Sequence, residues 1–161
     1  MKKLIIVRHA KSSWVEQVSD HDRGLKARGL HDSELVSLKF KELHILPDIA
    51  LSSTAKRARN TAEIFINNLN IDRNKFSLDE NIYDFSGESL IKTIKNVDNT
   101  INTLMLFGHN HALTYFVNSF GDRYIDNVPT SGLVVIDFHI DSWKYIKKGH
   151  TTHIIFPRDL R

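Results

Sequence analysis

Leu4-Ile5-Ile6-Val7-Arg8-His9-Ala10-Lys11-Ser12 is an apolar run that stops abruptly on an arginine and a histidine. The apolar part reads as a buried strand, and open α/β sheets place their ligands just beyond the carboxyl ends of such strands. Arginine there offers a planar fork of donors for phosphate oxygens, and histidine an imidazole that is partly unprotonated near neutral pH. Together they suit covalent phosphoryl transfer through histidine. Taken alone, the segment reads equally well as a strand followed by two polar surface residues. A second segment changes the balance: Thr103-Leu104-Met105-Leu106-Phe107 is another short apolar run, and it ends on Gly108-His109-Asn110-His111. If the two strands are parallel neighbours, His9 and His109 meet across one crevice.

Further strand patterns fall at 48–52, 132–138 and, more weakly, 150–156. Helical patterns lie between them, over 26–44 with Leu30, Leu35, Leu38 and Leu43 as apolar positions, and over 54–69 with Ala58, Ala62, Phe65, Ile66 and Leu69. Two more cover 87–97 and 110–119. This alternation predicts an α/β fold in three layers, a mostly parallel central sheet flanked by helices on both faces, with an antiparallel edge after Gly132. No repeat or linker divides the 161 residues, which read as a single domain over 1–161.

The composition narrows the function classes. With no cysteine, disulfides, thiol nucleophiles and Cys-based zinc sites are excluded. The nine histidines show no helical H-x-x-x-H pair, so no metal and no cofactor are expected. A net charge of +3 with interspersed signs lacks the basic, aromatic-studded stripe of a nucleic-acid binder. The apolar stretch after Met1 is too short for a signal peptide, and none reaches membrane-spanning length. These features read as a soluble, cytoplasmic protein with no nucleic-acid or membrane partner. The oligomeric state is not legible.

Phosphoryl transfer asks for an in-line nucleophile, cations around the phosphoryl oxygens and an acid for the leaving oxygen. His9 fits the first role and Arg8 the second. A third strand end, Leu51-Ser52-Ser53, runs into Thr54-Ala55-Lys56-Arg57-Ala58-Arg59, where Ser53 or Thr54 can cap a helix whose first turns are basic. Cations there oppose the helix dipole unless they serve an anion. Arg57 and Arg59 point in different directions, and spacing does not choose between them. Glu80 and Asp84 are the acid candidates. The charge-dense loop Ser19-Asp20-His21-Asp22-Arg23 follows the first strand closely enough to wall the site.

Arg8-His9-Ala10-Lys11-Ser12 resembles the R-H-G-x-T/S signature of the histidine phosphatase (phosphoglycerate-mutase-like) superfamily, and its Ala form followed by Ser13-Trp14 resembles the small SixA-type phosphohistidine phosphatases. The likeness runs along the chain. Asp22-Arg23-Gly24-Leu25 with Arg28-Gly29 resembles D-R-P-L-x-x-R-G. Pro47-Asp48, Leu51-Ser52-Ser53, Arg57-Ala58 and Thr61-Ala62 resemble P-D-x-x-x-S-S-x-x-x-R-A-x-x-T-A. Gly108-His109-Asn110 is similar to G-H-N-P, and Pro129-Thr130-Ser131 to the late P-T-A/G.

The resemblance implies a phosphoglycerate-mutase-like fold and a metal-independent phosphatase with His9 as the phosphorylated nucleophile. Arg8, Arg57 and His109 then form the phosphate pocket, the R-A-x-x-T frame selecting Arg57 over Arg59. Ser12, Asn110 and Asp84 are placed at the substrate, and Glu80, in an E-x-x-Y frame, is favoured as the acid with Asp84 in reserve. Gly24 and His111 stand where the family carries proline, His111 adding an imidazole near the pocket mouth. Val15 stands where many relatives carry asparagine. The chain is short for a closing lid, which favours an open site for a phosphorylated partner, protein phosphohistidine first. The alternatives are a small-molecule or sugar phosphomonoesterase on the same scaffold, or a catalytically silent phospho-binding module.

Overall fold

Lys2–Arg8 forms β1, an inner strand of a six-stranded sheet; the computed structural model describes residues 1–15 and 17–161. The other elements are α1 (Ala27–Lys41), β2 (Ile49–Ser52), α2 (Lys56–Leu69), β3 (Phe76–Leu78), α3 (Glu88–Lys95), β4 (Thr103–Gly108), α4 (Ala112–Phe120), β5 (Leu133–Phe138) and β6 (His150–Ile155). The strand order is β3-β2-β4-β1-β5-β6. The pairs β3·β2, β2·β4 and β4·β1 are parallel, whereas β1·β5 and β5·β6 are antiparallel. This is the expected mostly parallel sheet with an antiparallel edge.

Alternation along β1 divides the core. Ile5 and Val7 pack with Ala50, Met105 and Phe107 against Val36 and Phe40 of α1 and Phe65 of α2. Leu4 and Ile6 pack with Leu104 and Leu106 against Leu113 and Phe116 of α4 and Ile94 of α3. Both faces of the strand are therefore covered, which is why its sequence is continuously apolar.

The register of β1 on β4 pairs Val7 with Phe107 and Arg8 with Gly108. The next residue on each strand is a histidine, so both leave the sheet at the same edge. His9 N–H donates to Gly108 O (3.1 Å), and Ser131 N–H reaches Arg8 O (3.1 Å) and His9 O (3.2 Å), pinning the strand end from the β5 side.

Three expectations are corrected. The buried face of α1 is Gly29, Asp32, Ser33, Val36, Ser37 and Phe40, while Leu30 and Leu38 are about half exposed. Small and polar groups win this face for steric and ionic reasons. A Cβ on Gly29 would lie 2.4 Å from Lys11 O, and Asp32 is held by Arg161 through two bonds (3.1 and 2.9 Å). Second, β3 has no counterpart in the sequence reading, because three residues carry no periodicity. Third, neither Ser53 nor Thr54 caps α2; its N-cap is Ala55, and Ser53 Oγ instead accepts the Ala55 N–H (3.1 Å).

Candidate active site

Where β1, β2 and β4 end, a cavity of about 360 Å³ opens, bordered by Arg8, His9, Ser12, Arg57 and Asn110, with Trp14, Asp20, Arg23 and Phe85 around its mouth. A larger hollow of about 610 Å³ lies beside α3, lined in part by Ile49, Leu51, Lys92 and Val97, but it gathers neither histidine nor arginine. The candidate residues therefore gather at the smaller one.

His9 is 7 % exposed, and its Nδ1 lies 2.8 Å from Ala10 O. A carbonyl only accepts, so Nδ1 carries the proton and Nε2 keeps its lone pair. Burial first, and then the neighbouring Arg57, Arg8 and Arg23 guanidinia, push the His9 pKa down to about 3, against the opposing pull of the Ala10 hydrogen bond. The ring is thus neutral at physiological pH, as a nucleophile requires.

His109 is 1 % exposed, with its ring centroid 5.2 Å from that of His9. Its Nε2 lies 2.8 Å from Ser53 Oγ. Burial, then His9 and Arg57, lower its pKa to about 2. Arg8 Nη1 donates to Val128 O (2.9 Å), which fixes its fork at the strand end. Arg57, 2 % exposed in the first turn of α2, donates to Asp20 O (2.7 Å) and to Asp20 Oδ2 (3.0 Å). Arg59 turns instead to Thr54 O (2.9 Å). The structure thus brings Arg57, not Arg59, to the cavity. Among the described residues Arg8 Nε, Arg57 Nε and His109 Nδ1 are buried without a hydrogen-bond partner. Buried nitrogen groups of this kind call for a ligand, and phosphoryl oxygens supply three acceptors.

Not every expected residue arrives. Ser12 borders the cavity and accepts from Arg23 Nη1. Asn110 borders it too, but its side chain is engaged with Asn127 (2.6 Å) and with the Thr114 hydroxyl (2.7 Å). Glu80 is exposed and does not border the cavity. Asp84 accepts the N–H groups of Gly87 and Leu90 (both 3.0 Å), so its carboxylate holds the start of α3. His111 is exposed at the N-cap of α4 and also stands apart.

The carboxylate that does arrive is Asp20, which sequence reasoning placed only in a walling loop. It accepts from Tyr83 Oη (2.6 Å), from Arg57 and from Arg23. These bonds outweigh its desolvation and hold its pKa at about 2, so it is an anion. Trp14 is 74 % exposed, yet the Arg23 guanidinium stacks 3.5 Å from its ring centroid. The signal for Asp20 was the charge density of its loop, and Arg23 stood also in the Asp22-Arg23-Gly24-Leu25 motif. Nothing in the sequence marks the long-range pairing with Tyr83.

The histidine phosphatase superfamily (branch 1) model matches residues 4–87, slightly more than half of the chain. The chain belongs to the histidine phosphatase superfamily. An uncharacterised protein of Mycobacterium tuberculosis is 30% identical over 140 residues, covering 81% of this chain and 85% of that protein. A candidate phosphohistidine phosphatase, SixA, from Agrobacterium tumefaciens superposes with a TM-score of 0.80 at 25% identity, covering 96% of this chain and 97% of that one. The protein histidine phosphatase SixA in complex with tungstate gives a TM-score of 0.83 at 18% identity over 99% of both chains, a likeness of fold. This histidine phosphatase is thus of the SixA type, a phosphoglycerate-mutase-like α/β protein and a histidine-nucleophile phosphatase. Among the described residues no helix is long and apolar enough to cross a membrane.

Proposed function

We propose that this phosphatase removes the phosphoryl group from protein phosphohistidine, with His9 as the nucleophile and Arg8, Arg57 and His109 around the phosphoryl oxygens. The observation that carries this reading is the state of the carboxylates. Among the described residues only Asp20 borders the cavity, and it is ionised and clamped to Arg57. Among the described residues the cavity border therefore offers no protonated carboxylic acid to a departing alkoxide, which an alkyl phosphate needs. A phosphoimidazole protonated on its second ring nitrogen departs as neutral imidazole and needs no such donor.

In the first step the lone pair of His9 Nε2 attacks phosphorus, a new P–N bond forms, and the P–N bond to the substrate ring breaks. The product is His9 phosphorylated at Nε2 and still protonated at Nδ1, where Ala10 O receives its hydrogen bond. Water then attacks phosphorus, both of its protons leave with the phosphate as dihydrogen phosphate, and His9 regains its neutral tautomer. The transition state is loose, so preorganised cations supply most of the catalysis and a general base is not essential. At the mouth of the 360 Å³ hollow Trp14 and Phe85 are exposed, which suits a side chain on a protein surface.

The test is hydrolysis, in EDTA, of a phosphohistidine-bearing protein and of alkyl and aryl phosphates matched in size. Turnover of the phosphoramidate should exceed that of the alkyl ester by at least about a hundredfold, the scale of one missing general acid. His9→Ala should abolish both. Comparable rates on the alkyl ester would move the reading to a small-molecule phosphomonoesterase, and phosphate binding without turnover to a silent binding module.

A further inference from the structure

Ser12 and Leu25 form an isolated antiparallel bridge, flanked by Ser13 N–H donating to Gly24 O (2.8 Å) and Lys26 N–H to Lys11 O (2.9 Å). This short ladder sets Lys11 and Lys26 across from one another. Like charges facing across an antiparallel pair repel. Among the described residues neither lysine is ion-paired; Asp20 pairs with Arg23 and Arg57, and Asp22 Oδ1 lies 3.4 Å from His21 Nδ1. Both lysines border the catalytic cavity, where Arg8, Lys11, Arg23, Lys26 and Arg57 stand against the single carboxylate of Asp20.

Three of those five cations have other work. Arg8 and Arg57 serve the phosphoryl oxygens, and Arg23 is held by Ser12, by Asp20 and by stacking on Trp14. Lys11 and Lys26 are left, exposed and facing each other on the same rim. An anion received between them would turn a repulsion into two attractions.

We propose that Lys11 and Lys26 form a subsite for a second anionic group carried by the same substrate molecule as the phosphoryl group. This rests on the phosphatase reading above and narrows its substrate class. On a protein the second anion is an Asp or Glu side chain beside the phosphohistidine; on a small molecule it is an acid group a few bonds from the phosphate.

Calorimetry on the full chain tests the subsite without turnover, using two uncleavable ligands of equal length, phosphonopropionate and propylphosphonate. Phosphonopropionate should bind roughly five- to tenfold more tightly, the scale of two exposed ion pairs. In Lys11→Gln/Lys26→Gln that preference should fall below about twofold, and Lys11→Arg/Lys26→Arg should keep it. Equal affinities in the unmodified protein, or a preference that survives the glutamine pair, overturn the proposal. The source of the anion is read from kcat/KM ratios: a phosphohistidine peptide flanked by Glu against one flanked by Gln, and a carboxyalkyl phosphate against its neutral analogue. A preference in the peptide pair alone assigns a protein substrate, and one in the small pair alone assigns a metabolite. Absence of turnover on all four defeats the phosphatase reading, while the calorimetry still decides the subsite.

Discussion

Asp20 is where the residue scale departs most from expectation. It sits among guanidinia as a carboxylate on the border of the cavity. Its Oδ2 bonds Arg57, but so does its main-chain carbonyl (2.7 Å), and the carbonyl survives replacement of the side chain. Asp20→Asn should therefore leave Arg57 in place while removing a negative charge from the phosphate's surroundings. Inorganic phosphate should then inhibit about three- to tenfold more strongly, with slower product release, as read from the inhibition constant. An unchanged constant would mean that the phosphate binds out of reach of Asp20. The placement of Arg8, His9 and His109 at one sheet edge was legible because each lies at a strand end. The surroundings of Glu80 and Asp84 were not, because spacing within their own segment does not show them. Asp84 accepts N–H groups at the start of α3 and Glu80 is exposed away from the cavity, both set by tertiary structure.

At the scale of elements, α1 packs closely on the loop that follows His9. Gly29 lets the first turn of α1 lie against that loop; a Cβ there would meet Lys11 O at 2.4 Å, Lys11 N at 2.9 Å and the Ala10 side chain at 3.2 Å. Two of these are backbone atoms two residues from His9, so a shift there disturbs the loop that carries the proposed nucleophile. Gly29→Ala should cost roughly 1–3 kcal/mol in a denaturant titration and lower kcat more than it raises KM. Stability and kcat both within error of the parent would show that the packing is looser than described. The α1 face illustrates why this was hidden in the sequence. Leucine spacing chose the Leu30/Leu38 side, whereas the close approach at Gly29 and the Asp32–Arg161 pair select the opposite one. By contrast, Ala58, Ala62, Phe65, Ile66 and Leu69 of α2 were read correctly, because there the buried face is also the apolar one.

The whole molecule carries its site as a pH-dependent load. His9 and His109 are neutral when folded, with pKa values lowered to about 3 and about 2, whereas an unfolded histidine titrates near 6.5. Below about pH 6.5 the unfolded chain binds protons that the folded chain does not, so stability is complete above that pH and falls steadily as acid is added. Each histidine contributes up to about a tenfold loss in the folding constant per pH unit until its folded pKa is reached. In phosphate-free buffer the melting temperature should drop between pH 7 and pH 5, with a shallower slope in His9→Gln. Added phosphate should offset the loss by binding the folded state alone. A flat profile would mean that the rings are not buried as described. The sheet order that brings these rings together was legible from two apolar runs ending in histidine, since parallel neighbours release their chains at a common edge. The short β3 and the Tyr83–Asp20 link were not, because neither is written in local periodicity.

The most direct measurement is acid-free rapid quench of the phosphatase with isotopically labelled phosphohistidine protein, followed by peptide mapping by mass spectrometry. A transient, acid-labile and alkali-stable phosphoryl group on the peptide carrying His9, absent in His9→Ala, is the predicted result. A label on His109, or turnover with no labelled enzyme at any time, would contradict the account.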